Sequence, residues 1–256
     1  MSTSAPAKSA EPSVRSLETV GLTKSYGGVR AVDGASVTFH HGKVNALIGP
    51  NGSGKTTFFN CVTGMIRPDA GTASYRGKDI TGKASHRITR AGIGRSFQLC
   101  RIFPRMTVME NMLVAVQSTS FRAQVASARD AAEIDRARGL LARVGIDHLE
   151  NAEARDLSYG QQKLLELAGV LMGDPDTILL DEPAGGVNPA LIDRIAGLVR
   201  SLNREGKTFL IVEHNMELVM SLSDHVVVFD RGRQIAEGPP SVVQNDPRVL
   251  EAYLGV

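Results

Sequence analysis

Cysteine is scarce in this chain. The 256 residues contain two, Cys61 and Cys100, without metal-site spacing. So few thiols argue against a disulfide scaffold and point to a reducing compartment. Cys61, among Phe58, Phe59 and Val62, reads as packing. Long hydrophobic runs are missing as well. No apolar stretch approaches the roughly 18 residues of a membrane span, and the longest, such as "TILL" and "HVVVF", have the length of buried strands. Nor does one sign of charge dominate. A net charge of +2 favours neither a nucleic-acid binder nor a disordered acidic chain. The opening "MSTSAPAKSAEPSVRS" is rich in Ala, Ser and Pro and has no hydrophobic stretch, so residues 1–16 read as a disordered tail rather than a secretory signal. The expectation is a soluble, cytoplasmic protein.

What is present is a core. Apolar residues make up 42% of the chain, and its length suits one large domain or a core with a subdomain. Strands are expected over about 17–23 and 35–40, and at "VNALIG", a short continuous apolar run of the kind that is buried on both faces. A helix is expected from about 55 to 62, followed by an edge strand at "TASYRG". From about 86 to 151 the periodicity turns helical, in "TVMENMLVAVQ" and "DAAEIDRARGLLARVG". Strands return at "DTILLD", "TFLIVEH" and "HVVVFD", with a helix over about 189–202. Alternating strands and helices predict an α/β core with a largely parallel sheet, carrying a helical insertion. No internal repeat is visible.

The segment Gly49-Pro50-Asn51-Gly52-Ser53-Gly54-Lys55-Thr56, followed by Thr57, fits G-x-x-x-x-G-K-[ST] at every fixed position. The glycines let backbone N–H groups approach phosphate oxygens, and the next helix presents its positive end to the same anion. Lys55 adds a point charge at the β and γ phosphates, and Thr56 offers Mg²⁺ a hydroxyl ligand. A nucleoside triphosphate site is expected. No Asn-Lys-x-Asp guanine reader occurs, which favours ATP.

"DTILLDEP" ends an apolar strand in Asp181-Glu182. Asp181 is placed to hold Mg²⁺ through water, and Glu182 to act as general base for an attacking water. His214 follows the apolar run of "FLIVEHN" and could reach the γ-phosphate; Gln98, in "RSFQLC", could contact Mg²⁺ or the water. Tyr26, in "KSYGGVR", is a candidate for stacking on adenine, with ordinary core packing the alternative. In "LSYGQQKLLELAGVLM", Ser158 and Gly160 open an amphipathic helix, where the alternatives are a second anion site and a plain N-cap.

These motifs, in this order, resemble the ATP-binding cassette (ABC) family over nearly the whole chain beyond the tail. The resemblance implies a P-loop ABC-type α/β fold: a mostly parallel sheet, an antiparallel edge subdomain and a helical subdomain. It sets a single ATPase domain at 17–256, with the core at about 17–85 and 160–256 and the helical subdomain at about 86–159. It assigns Gly49 to Thr56 as Walker A, Gln98 as the Q-loop, Leu157, Ser158, Tyr159, Gly160 and Gln161 as the signature, Thr177 to Asp181 as Walker B, and Tyr26, Glu182 and His214 to the nucleotide site. It further implies a head-to-tail dimer, homomeric or heteromeric, in which Ser158 and Gly160 close over the γ-phosphate held by Lys55 of the other subunit. Two departures stand out. Tyr159 replaces a glycine of the usual signature, and Asn188 stands where the loop after Walker B usually carries an aspartate.

The stretches "GIGRSFQLCRIFPRMTVMENMLVA", "DEPAGGVNP" and "VVQNDPRVLEAYLG" look like bacterial branched-chain amino acid importer ATPases of the tyrosine-signature type. That resemblance implies ATP hydrolysis with Mg²⁺, transmembrane permease partners, an indirect link to a periplasmic solute-binding protein, no nucleic acid, and a peripheral position on the inner face of the membrane. A lipopolysaccharide-export ATPase and a regulatory ATP-binding protein are the alternatives. Between residues 76 and 105, Arg76, Lys78, Lys83, Arg87, Arg90, Arg95, Arg101 and Arg105 face one acid, Asp79, and this excess is read as a basic rim toward lipid headgroups or acidic permease loops.

Overall fold

The computed structural model describes residues 15–96, 102–115 and 131–254. The chain starts with β1 (Arg15–Tyr26), β2 (Val29–Ala35) and β3 (Thr38–His40). These are followed by β4 (Val44–Ile48), all five of whose residues are buried, and α1 (Lys55–Val62). Next come β5 (Ala70–Tyr75), the two-residue β6 (Lys78–Asp79), α2 (Ser85–Arg90) and β7 (Ile93–Arg95). Three helices occupy the middle of the chain: α3 (Val108–Val114), α4 (Ala131–Val144) and α5 (Tyr159–Met172). The rest comprises β8 (Thr177–Asp181), α6 (Pro189–Arg204), β9 (Thr208–Val212), α7 (Met216–Leu222), β10 (His225–Asp230), β11 (Arg233–Gly238), α8 (Pro240–Val243) and α9 (Pro247–Leu254).

Two sheets result. One is six-stranded in the order β11-β10-β4-β9-β8-β7, parallel throughout except for antiparallel β11. The apolar runs read from the sequence form its centre, where β4, β8 and β9 bury every residue, as a parallel sheet covered on both faces requires. The other is antiparallel, in the order β2-β1-β5-β6 with β3 also paired to β1. Between the sheets Leu17, Leu22 and Phe39 of the antiparallel strands meet Phe58 and Phe59 of α1 and Leu47, Leu210 and Phe229 of the parallel ones. A second cluster joins Ile178, Leu180 and Phe209 to α5, α6 and the helices α3 and α4. The mid-chain helices pack through Val108, Met112, Leu141, Leu164 and Ala168, the 3.6-residue stripe the sequence showed.

Three local expectations are corrected. β1 begins at Arg15, inside the segment read as tail. Ser16 is buried, its hydroxyl 3.0 Å from that of Thr177. β5 is no edge, because the short β6 pairs with its far side. β7 lies within the stretch read as a helical insertion, yet it extends the parallel sheet through Ile93↔Thr177 and Arg95↔Leu179. Three residues are too few to carry a recognisable period. The hairpin strand β11, polar on its exposed side, was not anticipated.

Candidate nucleotide site

The phosphate loop joins buried β4 to α1 and is braced from two sides. Gly49 has φ +149°, and a Cβ there would sit 2.0 Å from the carbonyl oxygen of Phe229; Gly54 has φ +98°, and a Cβ would meet the Ala31 carbonyl at 2.1 Å. Only glycine fits either position. Gly232, in the β10–β11 turn, donates its N–H to the Ser53 carbonyl at 3.0 Å, and Asp33 donates to Gly232 at 2.8 Å. The loop curls around Lys55, which is 7% exposed and donates from Nζ to the carbonyls of Gly49 (2.7 Å) and Pro50 (2.8 Å). Burial lowers the Lys55 pKa, while the charges of Glu182 and Asp181 oppose that shift. Helix α1 has no side-chain N-cap bond and no acid in its first turn. Its leading N–H groups, at Lys55, Thr56 and Thr57, have no partner within the helix. A buried cation, a glycine-walled loop and an uncapped helix start are the donor set a polyphosphate requires.

Asp181 and Glu182 sit at the C-terminal end of β8, beside the loop after β9, where open α/β sheets place their ligands. Asp181 is 4% exposed and its Oδ2 is held by Arg95 Nη2 at 2.9 Å. Arg95 also donates from Nη1 to Asn60 Oδ1 (2.8 Å) and Thr63 Oγ1 (2.7 Å), and lies over the Phe59 ring. It is therefore an internal strut and not part of a basic rim. Arg76 is exposed but paired with Asp176 at 2.8 Å, and Arg87, Arg90 and Arg105 are exposed as well. Gln98 and Arg101 lie outside the described residues.

Glu182 has φ +48°, a left-handed conformation unusual for a residue with a long side chain. Its N–H donates to Val212 (2.9 Å), and its carbonyl accepts from Gly185 N–H (3.0 Å) and Lys163 Nζ (3.0 Å). The carboxylate Oε1 is 4.0 Å from His214 Nδ1. Fully buried Glu213 orients both loops: it accepts from Ala184 N–H on one (2.7 Å) and from His214 and Asn215 N–H on the other (3.0 and 3.1 Å).

The signature opens α5 with a reciprocal cap. Ser158 Oγ accepts from Gln161 N–H at 3.3 Å, and Gln161 Oε1 accepts from Ser158 N–H at 2.8 Å. Leu157 is buried below it and Tyr159 is 44% exposed. A Cβ at Gly160 would lie 2.6 Å from Leu191 Cδ2, so the helix start packs directly on α6. Asn188 caps α6, its Oδ1 accepting from Leu191 N–H at 2.9 Å. Tyr26 is 48% exposed at the end of β1, so the core-packing alternative is set aside.

Comparison with known proteins agrees with this geometry. The family model described as "ABC transporter" matches residues 32–185. The chain belongs to the ABC transporter family. A second model, "Branched-chain amino acid ATP-binding cassette transporter", matches residues 233–256. The cassette is 42% identical over 250 residues to the high-affinity branched-chain amino acid transport ATP-binding protein BraF of Pseudomonas aeruginosa, covering 93% of this chain and 97% of that protein. It is 38% identical to LivG of Escherichia coli, a protein of the same description, covering 92% and 96%. Among solved structures, a nucleotide-free ATP-binding cassette from an ABC transporter superposes with a TM-score of 0.84 at 36% identity, over 94% of this chain and all of the other. The ADP conformation of such a cassette gives 0.84 at 35%, over 94% and 99%. The chain is an ATP-hydrolysing cassette, and its α/β fold is the ABC one.

Several of the cassette's site residues escape sequence reading. Arg95 reads in the sequence as one charge in a basic run; Lys163, 8% exposed, and Glu213, fully buried, carry no local mark that sets them apart. The Tyr253 hydroxyl of α9 lies beside the Gly49 backbone, and burial pushes its phenol up to about 12. The C-terminal helix thus touches the phosphate loop, a contact no local pattern announces.

Proposed function

We propose that this cassette is the ATP-hydrolysing subunit of a bacterial importer for branched-chain amino acids or closely related small solutes. The observation that carries the mechanism is the electrostatic neighbourhood of Lys55. The charges of Glu182 and Asp181, at the end of β8, oppose the lowering by burial of the pKa of Lys55, which follows β4, so two strands' ends converge on the phosphate loop. The match of residues 233–256 and the relatives' names support the solute class.

Lys55 and the loop N–H groups grip the β and γ phosphates, and Tyr26 stacks on adenine. Thr56, Asp181 and Gln98 would hold Mg²⁺; hydroxyl, carboxylate and amide oxygens are the hard donors that ion takes. Bound there, Mg²⁺ supplies charge neutralisation across the phosphates. Glu182 takes a proton from the attacking water, and His214, whose Nδ1 is 4.0 Å from the Glu182 carboxylate, is the residue assigned to contact the γ-phosphate. Ser158 and Gly160 serve the nucleotide of a second cassette, identical or related, in a head-to-tail pair. Closure and reopening of that pair drive the permease.

The permease contact belongs on the groove between α3 and α5. There Phe103 (52% exposed) and Val114 (41% exposed) flank Leu165 and Val170. Asn111 pins this rim by accepting from Phe103 N–H (2.7 Å) and donating to its carbonyl (3.1 Å). Among the described residues no helix is long and apolar enough to cross a membrane, which suits a peripheral subunit on the cytoplasmic face. A periplasmic solute-binding protein is an indirect partner, and no nucleic acid is involved. The test is uptake of radiolabelled leucine by cells carrying the intact system. Lys55→Ala abolishes ATP binding and uptake together; normal uptake by that variant refutes the reading.

A further inference from the structure

Lys163 lies one turn into α5, the helix that Ser158 opens, yet only 8% of it is exposed. A buried ammonium requires partners. Two are visible: the Glu182 carbonyl at 3.0 Å and the face of the Tyr159 ring, 5.4 Å from Nζ to its centroid. Glu182 is the residue whose backbone adopts the left-handed conformation, φ +48°. In that conformation its carbonyl turns away from the strand and is held by Gly185 N–H and by Lys163. The backbone sets the direction in which the Glu182 side chain leaves its Cα, so whatever holds this carbonyl also sets the starting direction of the carboxylate, whose Oε1 lies 4.0 Å from His214 Nδ1.

We propose that Lys163 is a positioning residue that ties the signature helix to the backbone of Glu182. One rigid helix then carries, at its start, the serine that serves the partner's nucleotide and, one turn later, the ammonium that orients this chain's own base. Movement of the helix start shifts the carboxylate, so each chain's hydrolysis is sensitive to engagement of its own signature. Tyr159, the departure from the usual glycine, supplies the aromatic face over which the ammonium lies. The inference rests on the reading of Glu182 as general base.

The experiment measures steady-state ATPase of the full chain in wild type, Lys163→Met, Lys163→Arg and Glu182→Gln, with thermal unfolding recorded for each. Lys163→Met is expected to lower kcat by roughly 10- to 100-fold, the cost of a small misplacement at a reacting centre, while KM for ATP stays within about twofold. Lys163→Arg, which still donates to a carbonyl, recovers most of kcat. If Lys163→Met does not fold, Lys163→Gln takes its place. Unchanged kcat in the neutral variant while Glu182→Gln is inactive overturns the role of Lys163 and leaves the base in place. Full activity of Glu182→Gln overturns the base itself. A loss shared by kcat and KM, not rescued by arginine, reduces Lys163 to a packing residue and also overturns the proposal.

Discussion

Arg95 Nη2 and Asp181 Oδ2 lie 2.9 Å apart in a buried ion pair, with side chains 9% and 5% exposed. Eighty-six positions separate them in the chain. They are adjacent because β7 and β8 are parallel neighbours. The arginine fixes the carboxylate proposed to hold Mg²⁺ and clamps it to α1 through Asn60 and Thr63.

Removing one partner of a buried pair leaves the other charge uncompensated. Arg95→Met is therefore expected to destabilise the chain by about 3–5 kcal/mol. Urea unfolding measures it. Double replacement by Arg95→Met with Asp181→Asn recovers part of the loss while ATPase remains low. A single variant as stable as wild type would show that the pair contributes nothing.

Gly49→Ala places a methyl group 2.0 Å from the Phe229 carbonyl. The loop must move away from β10, and ATP affinity is expected to fall at least tenfold, about 1.4 kcal/mol. Gly197→Ala, in open space on α6, is the control with unchanged affinity. A fluorescent ATP analogue titration distinguishes them.

Asn188 is a helix cap in this chain. Asn188→Asp keeps the acceptor and is expected to leave stability within about 0.5 kcal/mol, because both residues cap equally well. Asn188→Ala loses about 1 kcal/mol. Thermal unfolding of the three proteins checks the order. Equal stability of the alanine variant would remove the capping role.

His225 packs its ring edge-on to His40, with centroids 4.8 Å apart. Burial lowers its pKa from 6.5, the charge of His40 lowers it further, and Glu237 opposes. The folded state thus disfavours the protonated ring. Its contribution is fully present above 6.5 and is lost as pH falls from there through the depressed folded value. Stability measured in urea should rise with pH through that window, and His225→Gln should flatten the rise. An equal slope in both proteins would locate the titration elsewhere.

The contiguous features were legible in the sequence alone. The phosphate loop must be a run of residues because one backbone turn wraps one phosphate chain. The strands β4, β8, β9 and β10 announce themselves because burial on both faces demands uninterrupted apolar residues. Glu182 and His214 could be named because strand ends mark the ligand side of such a sheet. The signature helix was legible by its cap and its stripe.

Tertiary structure alone decided the rest. It took Arg95 out of a basic run and set it against Asp181, turned Lys163 inward to the Glu182 carbonyl, and brought Tyr253 to Gly49. It also placed three-residue β7 in the parallel sheet. Each of these joins distant parts of the chain, and a charged side chain carries no local mark of whether its partner will be water or a buried group. Periodicity and motif spacing report what a segment does to itself; only the packed fold sets the distances between segments, and those distances choose each charge's partner.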